Sequence, residues 1–317
     1  MKTVFIFPGQ GSQSVGMGKD LYEHSRLAKD LYEKANDVLG YDLTTLCFEG
    51  PEDKLKLTEN TQPAILTTSI ALLKLFQQRS NIQPSYVAGH SLGEYSALVC
   101  AGALSFEDAV LSVHKRGQYM QSAVPVGVGT MAAIVRTTED VVRELCDQVN
   151  RNGHVVVNAN INCPGQYVIS GHTEAVKDVM KLAKEKRAMG IPLAVSAPFH
   201  SPLMQKAADE LENWLEDIKF NDLDIPLINN ADVEILTSGK EAKKSLIKQM
   251  QAPVRWEASM RKLIDMGVDT FIEIGPGKVL TGMLKRINRE VKGINVFDLE
   301  SMEEAVGILH RPASLVH

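Results

Sequence analysis

A short apolar run, Ser85–Ala88, leads directly into Gly89-His90-Ser91-Leu92-Gly93 and then into the helical pattern Glu94–Cys100. A G-x-S-x-G stretch between strand and helix demands a sharp corner, and its two glycines let the helix cross the strand without a side-chain clash. The corner raises the Ser91 hydroxyl at the start of the helix. Free N–H groups and partial positive charge gather there and suit an oxyanion formed beside it. The feature therefore predicts a sheet whose strands feed into helices, and it makes Ser91 the first candidate nucleophile.

A serine nucleophile needs a base. Of eight histidines, His200 is singled out by Pro198-Phe199-His200-Ser201-Pro202, where prolines on both sides restrict the backbone and fix one direction for the side chain. His90, beside Ser91, is expected to point away from it and to pack or bond locally. Two glycine-rich loops resemble nucleotide sites and fail in detail. Gly9-Gln10-Gly11-Ser12-Gln13-Ser14 has Ser14 where the third glycine of a dinucleotide fingerprint belongs. Gly275-Pro276-Gly277-Lys278 is followed by Val279 where a phosphate loop needs Ser or Thr. The first loop ends a core strand, so its backbone N–H groups are a candidate second half of an oxyanion hole.

Along the chain, Thr3–Phe7 reads as a first strand stopped by Pro8-Gly9, followed by helices at Leu27–Leu39, Ala64–Gln78 and Phe106–Ser122. Strands alternating with helices imply a mainly parallel sheet covered on both faces. The rhythm then changes. Strand Met131–Val135, helix Thr138–Val149, strands Val155–Ile161 and Gln166–Ser170, helix Thr173–Lys186 and strand Ile191–Val195 form a β-α-β-β-α-β unit of ferredoxin-like order. The segments Val124–Gly129 and Ser196–Pro198 read as its crossing points. The expectation is a small subdomain over 127–194 within a large one formed by 1–126 and 195–317. Beyond the insert, helices are predicted at Ser201–Asp217, Lys240–Met250 and Glu257–Met266, with strands at Ile225–Ile228 and Thr270–Ile274. From Ile308 the pattern fades into an expected loose tail.

Composition narrows the function. With 44% hydrophobic and 23% charged residues and a net charge of −5, the chain is of ordinary globular type and has no bulk attraction for nucleic acid or anionic membrane. Cys47, Cys100, Cys146 and Cys163 form no C-x-x-C pair, and no H-E-x-x-H run occurs, so no metal site is expected. The cysteines read as small buried hydrophobes in a reducing, cytoplasmic setting. The N-terminal apolar run is too short for a signal peptide, and Ala64–Phe76 is too short and too interrupted to span a bilayer, so it reads as a buried helix.

Taken together, several segments resemble the malonyl-CoA:acyl carrier protein transacylase family of bacterial fatty-acid synthesis. They are Phe7-Pro8-Gly9-Gln10-Gly11-Ser12-Gln13, Thr61-Gln62-Pro63-Ala64, Gly89-His90-Ser91-Leu92-Gly93-Glu94 and Arg116-Gly117. Asn162-Cys163-Pro164-Gly165-Gln166, Pro198-Phe199-His200-Ser201, Gln249-Met250-Gln251-Ala252-Pro253-Val254 and Phe271-Ile272-Glu273-Ile274-Gly275-Pro276-Gly277 continue the series, which runs in order from about residue 3 to residue 297. The resemblance implies an α/β-hydrolase-like core with a parallel sheet and an inserted ferredoxin-like subdomain.

For the site, it implies Ser91 as nucleophile, His200 as base, the backbone N–H groups of Gln10 and Leu92 as oxyanion hole and the Gln249 backbone carbonyl as the group orienting His200. Arg116 is implied to pair with the malonate carboxylate, a match of planar fork to carboxylate that lysine does not reproduce. Phe199, by narrowing the space beside C2, is implied to favour malonyl over branched units. The expected reaction is ping-pong transfer of malonyl from malonyl-CoA to the phosphopantetheine thiol of an acyl carrier protein, with no cofactor and with the enzyme a monomer. A polyketide carrier is one alternative; a serine esterase or thioesterase is a more distant one. Because carriers are acidic, two basic clusters are candidate docking faces: Lys181, Lys184, Lys186 and Arg187 on the insert, and Lys285, Arg286 and Arg289 near the C-terminus.

Overall fold

A computed structural model describes residues 1–150, 154–195 and 197–310. Ten strands occur among these residues: β1 (Thr3–Phe7), β2 (Tyr86–Gly89), β3 (Gly129–Val135), β4 (Val156–Cys163), β5 (Gln166–His172), β6 (Met189–Pro192), β7 (Leu227–Ile228), β8 (Ile235–Leu236), β9 (Thr270–Ile274) and β10 (Lys292–Val296). They form two sheets. The larger has the order β10-β9-β1-β2-β7-β8, all neighbours parallel except β8 on β7. The smaller is antiparallel in the order β4-β5-β3-β6. The chain is therefore a mixed α/β protein with one mainly parallel and one separate antiparallel sheet.

Every residue of β1 and β9 is buried, as expected for central parallel strands covered by helices on both faces. One face carries Phe5 and Phe7 against the long helix Thr58–Arg79; the other carries Val4 and Ile6 against Trp256, Met260 and Leu280. Thr58–Arg79 is buried along most of its length, and among the described residues no helix is long and apolar enough to cross a membrane. In the small sheet, Ala132, Ile134 and Ile169 face the helices Glu139–Asn150 and Thr173–Glu185. Met131 and Val168, with side chains alternating to the opposite face, pack toward the large sheet. Ile161 N–H donates to Val254 O at 2.9 Å and Val254 N–H to Ala159 O at 2.8 Å, which stitches β4 to the chain beyond Gln249. A cleft is left between the two sheets.

Several sequence expectations shift. The last strand of the small sheet is Met189–Pro192 rather than Ile191–Val195: it is registered on Ala132–Val135 of β3, and beyond Pro192 a further main-chain bond, from Leu193 N–H to Met131 O at 3.1 Å, holds the chain to β3. Leu193 and Val195 instead line the cleft. The helix expected at Ser201–Asp217 begins as a tight turn at Pro202–Met204 and becomes α-helical only at Gln205–Glu216. Residues 308–310, expected as loose tail, finish the helix Leu299–His310, whose Met302 and Ala305 are buried; 311–317 lie outside the described residues, as does Ser196 at the second crossing point. Cys47, Cys146 and Cys163 are buried and Cys100 is half-buried; all four are free thiols.

The helix Gly93–Cys100 crosses close over the ends of β1 and β2. A Cβ on Gly93 would strike the Phe7 carbonyl at the end of β1, and one on Gly89 would strike Gly93 itself. Gly93→Ala is expected to cost about 3 kcal/mol of unfolding free energy in urea titrations, at the upper end for overpacking because the clashing atom is backbone. A loss below about 1 kcal/mol would mean that the helix has room to move away.

Candidate active site

Ser91 occupies the left-handed region at φ 52°, where a non-glycine residue is strained, and its peptide groups are clamped from both sides. Its N–H donates to Asn230 Oδ1 at 2.7 Å, and its carbonyl accepts from Gln249 Nε2 at 3.2 Å. Asn230 Nδ2 in turn donates to Gly89 O at 2.7 Å. His200 is also left-handed, at φ 56°, in a turn tied by the Ser201 hydroxyl donating to Pro198 O at 2.6 Å. The prolines flanking this turn gave the sequence-level signal for it.

The two residues meet: Ser91 Oγ lies 2.8 Å from His200 Nε2. His200 Nδ1 lies 2.8 Å from the main-chain oxygen of Gln249. A carbonyl can only accept, so Nδ1 carries the proton and Nε2 is left as the acceptor for the serine O–H. Burial, and next the Arg116 guanidinium, push the His200 pKa down to about 3. The imidazole is thus neutral at any ordinary pH and ready to take a proton.

Arg116 comes from the helix Phe106–Ser122, whose approach to Thr58–Arg79 is set by two neighbours in sequence. Gly117 faces Glu59, where a Cβ would stand 2.6 Å from Glu59 Cα. Pro63 has no N–H for the Glu59 carbonyl, and His114 Nδ1 fills that vacancy at 2.8 Å. Only 1% of Arg116 is exposed. Its Nη1 donates to Gln62 Oε1 at 2.8 Å, and its Nη2 donates to Gln249 Oε1 at 2.9 Å and to Ser91 Oγ at 3.0 Å. Its Nε has no partner, and among the described residues no carboxylate forms an ion pair with it. A buried cation without a direct counter-ion is costly, and the arrangement suits an anionic ligand placed next to the serine.

Gln10, Leu92 and Phe199 line the same cavity as Ser91, His200 and Arg116. The main-chain N–H groups of Gln10 and Leu92 are engaged by no acceptor among the described residues, while Gln10 Nε2 donates to Thr58 Oγ1 at 3.3 Å. His90 also borders the cavity. It binds Asn162 Oδ1 at 2.8 Å, 72 residues away rather than locally, with its ring 5.5 Å from that of Trp256. Among the described residues no group of three or more His, Cys, Asp or Glu side chains is placed to hold a metal.

Four contributors escaped the sequence reading. Gln62 and Glu94 sat inside recognised motifs without a role, Asn230 carried no signal, and Gln249 was read for its carbonyl alone although its side chain touches Ser91, Arg116 and Glu94.

An acyl transferase domain family model matches residues 4–312. The chain is 51% identical over 309 residues to the malonyl CoA-acyl carrier protein transacylase of Bacillus subtilis (strain 168), covering 97% of each chain. It superposes with a TM-score of 0.94 on an acyl-carrier-protein S-malonyltransferase from Burkholderia pseudomallei 1710b, at 44% identity over 97% of this chain and 100% of that one. A malonyl-transacylase solved in complex with its type II PKS acyl-carrier protein gives a TM-score of 0.94 at 42% identity, again over 97% and 100% of the two chains. The chain belongs to the acyl transferase family.

The depressed His200 pKa has a measurable consequence. The unfolded chain takes up a proton near pH ~6.5 that the folded chain refuses until about 3. Stability contributed by this group therefore rises with pH across that window, by up to ~1.4 kcal/mol per unit. In urea titrations His200→Gln should gain stability relative to wild type as pH is lowered from 7 to 5. A difference independent of pH would contradict a buried neutral imidazole.

Proposed function

We propose that this chain, as a member of the acyl transferase family, moves a malonyl group from malonyl-CoA to the phosphopantetheine thiol of an acyl carrier protein through a malonyl ester on Ser91. The observation that carries the reading is Arg116, a buried guanidinium with no carboxylate of its own, 3.0 Å from the Ser91 hydroxyl. A neutral acyl group would leave that charge unpaired, whereas a malonyl carboxylate satisfies it bidentately. Relatives of high identity that bear the name malonyl CoA-acyl carrier protein transacylase support the same substrate pair.

In the proposed first half-reaction His200 Nε2 takes the Ser91 proton as Oγ attacks the thioester carbon. The oxyanion is held by the N–H groups of Gln10 and Leu92. Collapse breaks the C–S bond, and the coenzyme A thiolate recovers the proton from His200. In the second half, His200 deprotonates the carrier thiol, the thiolate attacks the ester, and Ser91 leaves with the proton returned. Phe199 narrows the acyl pocket beside C2. The chemistry needs no cofactor. The fold is read as an α/β-hydrolase-like core, residues 1–126 and 195–317, carrying a ferredoxin-like insert at 127–194, and the protein as a cytoplasmic monomer.

A hydrolase would use the same corner differently. A carboxylate usually orients the histidine of an esterase; here a carbonyl does so, and the buried Glu94 is engaged elsewhere. A polyketide carrier is a second reading of the acceptor, favoured by the similar transacylase solved with a type II PKS carrier.

For the carrier, the cluster Lys285, Arg286 and Arg289 is favoured over the insert helix. It stands at the end of the helix Val279–Ile287, whose Val279, Leu280 and Met283 line the cavity. Lys181 and Lys184 lie on Thr173–Glu185, which covers the opposite face of the small sheet from the cavity-lining Met131 and Val168.

Intact mass after mixing with malonyl-CoA alone should show a malonyl adduct on wild type and none on Ser91→Ala; an adduct on the variant would overturn the nucleophile. Arg116→Ala should lose malonyl acylation by roughly 100-fold or more, as expected for losing a charged bidentate contact, and shift preference toward acetyl-CoA. For docking, Lys285→Glu with Arg289→Glu should raise the carrier KM about tenfold without changing that for malonyl-CoA. Equal effects on both substrates would remove this face as the docking surface.

A further inference from the structure

Glu94 directly follows the nucleophile corner, and its carboxylate is 1% exposed. The proposed chemistry gives it no part. Its Oε2 accepts from Asn230 N–H at 3.0 Å and from Gln249 Nε2 at 2.9 Å, and Oε1 is 3.4 Å from the Ser245 hydroxyl. The Gln249 amide then continues on its other side, with Oε1 accepting from Arg116 Nη2 at 2.9 Å. Cation and carboxylate are thus joined through a single amide: guanidinium N–H to amide oxygen, amide N–H to carboxylate.

An amide in this position has one allowed orientation. Ionised Glu94 can only accept, so it draws the Gln249 NH2 toward itself and turns the amide oxygen to Arg116. The guanidinium has five N–H groups and makes three hydrogen bonds within the protein, which leaves two unengaged among the described residues. A carboxylate in direct contact would have filled that capacity and closed the anion seat.

We infer that Glu94 is the resident counter-charge of Arg116, held one amide away so that the guanidinium is compensated in the empty site yet remains open to a substrate carboxylate. This rests on the malonyl reading above, and it gives Glu94 a positioning and tuning role rather than a catalytic one. When a substrate carboxylate arrives, two negative groups share one cation. Anion binding is then weaker than Arg116 alone would make it, which keeps the malonyl ester from becoming a trap. Burial, opposed by Asn230, Gln249, Ser245 and Arg116, sets the Glu94 pKa at about 7, so the carboxylate is poised to take a proton once the Arg116 charge is claimed. The ionisable groups facing it are Arg116 from Phe106–Ser122 and Tyr95 from its own helix; Asn230, Ser245 and Gln249 are neutral.

The probe is malonamate, the monoanionic half-amide of malonic acid, with acetamide as its neutral control. Calorimetry on Glu94→Gln should give malonamate affinity about tenfold tighter than wild type, with acetamide binding unchanged. Equal malonamate affinity in a folded Glu94→Gln protein, or parallel changes for both probes, overturns the inference, because a merely structural Glu94 does not distinguish ligand charge. Should the variant fail to fold, carbon-13 NMR of the wild-type Glu94 carboxyl decides instead. Saturating malonamate must raise its titration midpoint by at least one pH unit, and an unmoved midpoint overturns the proposal. A malonyl adduct on Ser91 alongside a negative result here would sink this inference alone. Absence of both the adduct and malonamate binding to wild type would sink the malonyl reading with it.

Discussion

The site is organised around a positive charge that the fold takes out of water and leaves without a contacting carboxylate. Burying Arg116 costs several kcal/mol unless hydrogen bonds and a nearby opposite charge repay it. Gln62 and Gln249 supply acceptors, Tyr95 places its ring 5.8 Å from the guanidinium carbon, and Glu94 stands behind Gln249. These groups come from three segments: Gln62 from Thr58–Arg79, Gln249 from the end of Gly239–Gln249, and Glu94 and Tyr95 from the helix Gly93–Cys100, which follows directly on Ser91, the serine that the same guanidinium touches. Alignment of the nucleophile, the base and the anion seat is therefore one packing problem rather than three. The helix Phe106–Ser122 cannot be displaced from Thr58–Arg79 without moving Arg116 off the serine, and Gly117 and Pro63 fix that crossing.

Strain is concentrated where the chemistry is. Ser91 and His200 both sit in left-handed backbone, which costs on the order of 1–3 kcal/mol each and persists only where surroundings over-determine it. Asn230 and Gln249 provide that over-determination for Ser91, and the Ser201–Pro198 bond provides it for His200. Gln249 is the shared element. Its main-chain oxygen holds the imidazole tautomer while its side-chain amide bridges serine, arginine and Glu94, so one residue at the end of the helix Gly239–Gln249 couples all the participants.

How much of this the sequence carried depended on whether the determinant was local. The corner around Ser91 and the turn around His200 were legible because glycine spacing and flanking prolines impose backbone geometry within a few residues. β1 and β9 matched because β-branched and aromatic runs stop at Pro8-Gly9 and at Gly275-Pro276, and the helix Phe106–Ser122 matched because Phe106, Ala109, Val110 and Val113 recur at helical spacing. β7 falls inside the strand expected at Ile225–Ile228, but the two-residue β8 carries no period to read, and β10, Lys292–Val296, begins with lysine and glycine and packs on only one neighbouring strand. Asn230 was invisible for a different reason. It acts through a side chain reaching 139 residues back to the Ser91 N–H, and no local pattern encodes that distance. Arg116 was indistinguishable from a solvated helix arginine by periodicity, and only its place in a series of spaced motifs marked it.

The orienting group on His200 follows from the same charge. In a site where no carboxylate contacts Arg116, a carboxylate within hydrogen-bonding reach of the imidazole would compete for the guanidinium and raise the basicity of His200 in every state. A carbonyl fixes the tautomer while adding no charge. The imidazole is then held far below its usual pKa by burial and by Arg116. On the proposed reading, a substrate carboxylate that pairs with Arg116 removes the second of these causes, so His200 becomes a stronger base only when the acyl group carries its own negative charge. A neutral acyl group leaves both causes in force. Recognition of the acid end of the substrate and activation of the serine are in this way a single electrostatic event, and replacing the carbonyl partner by a carboxylate would uncouple them.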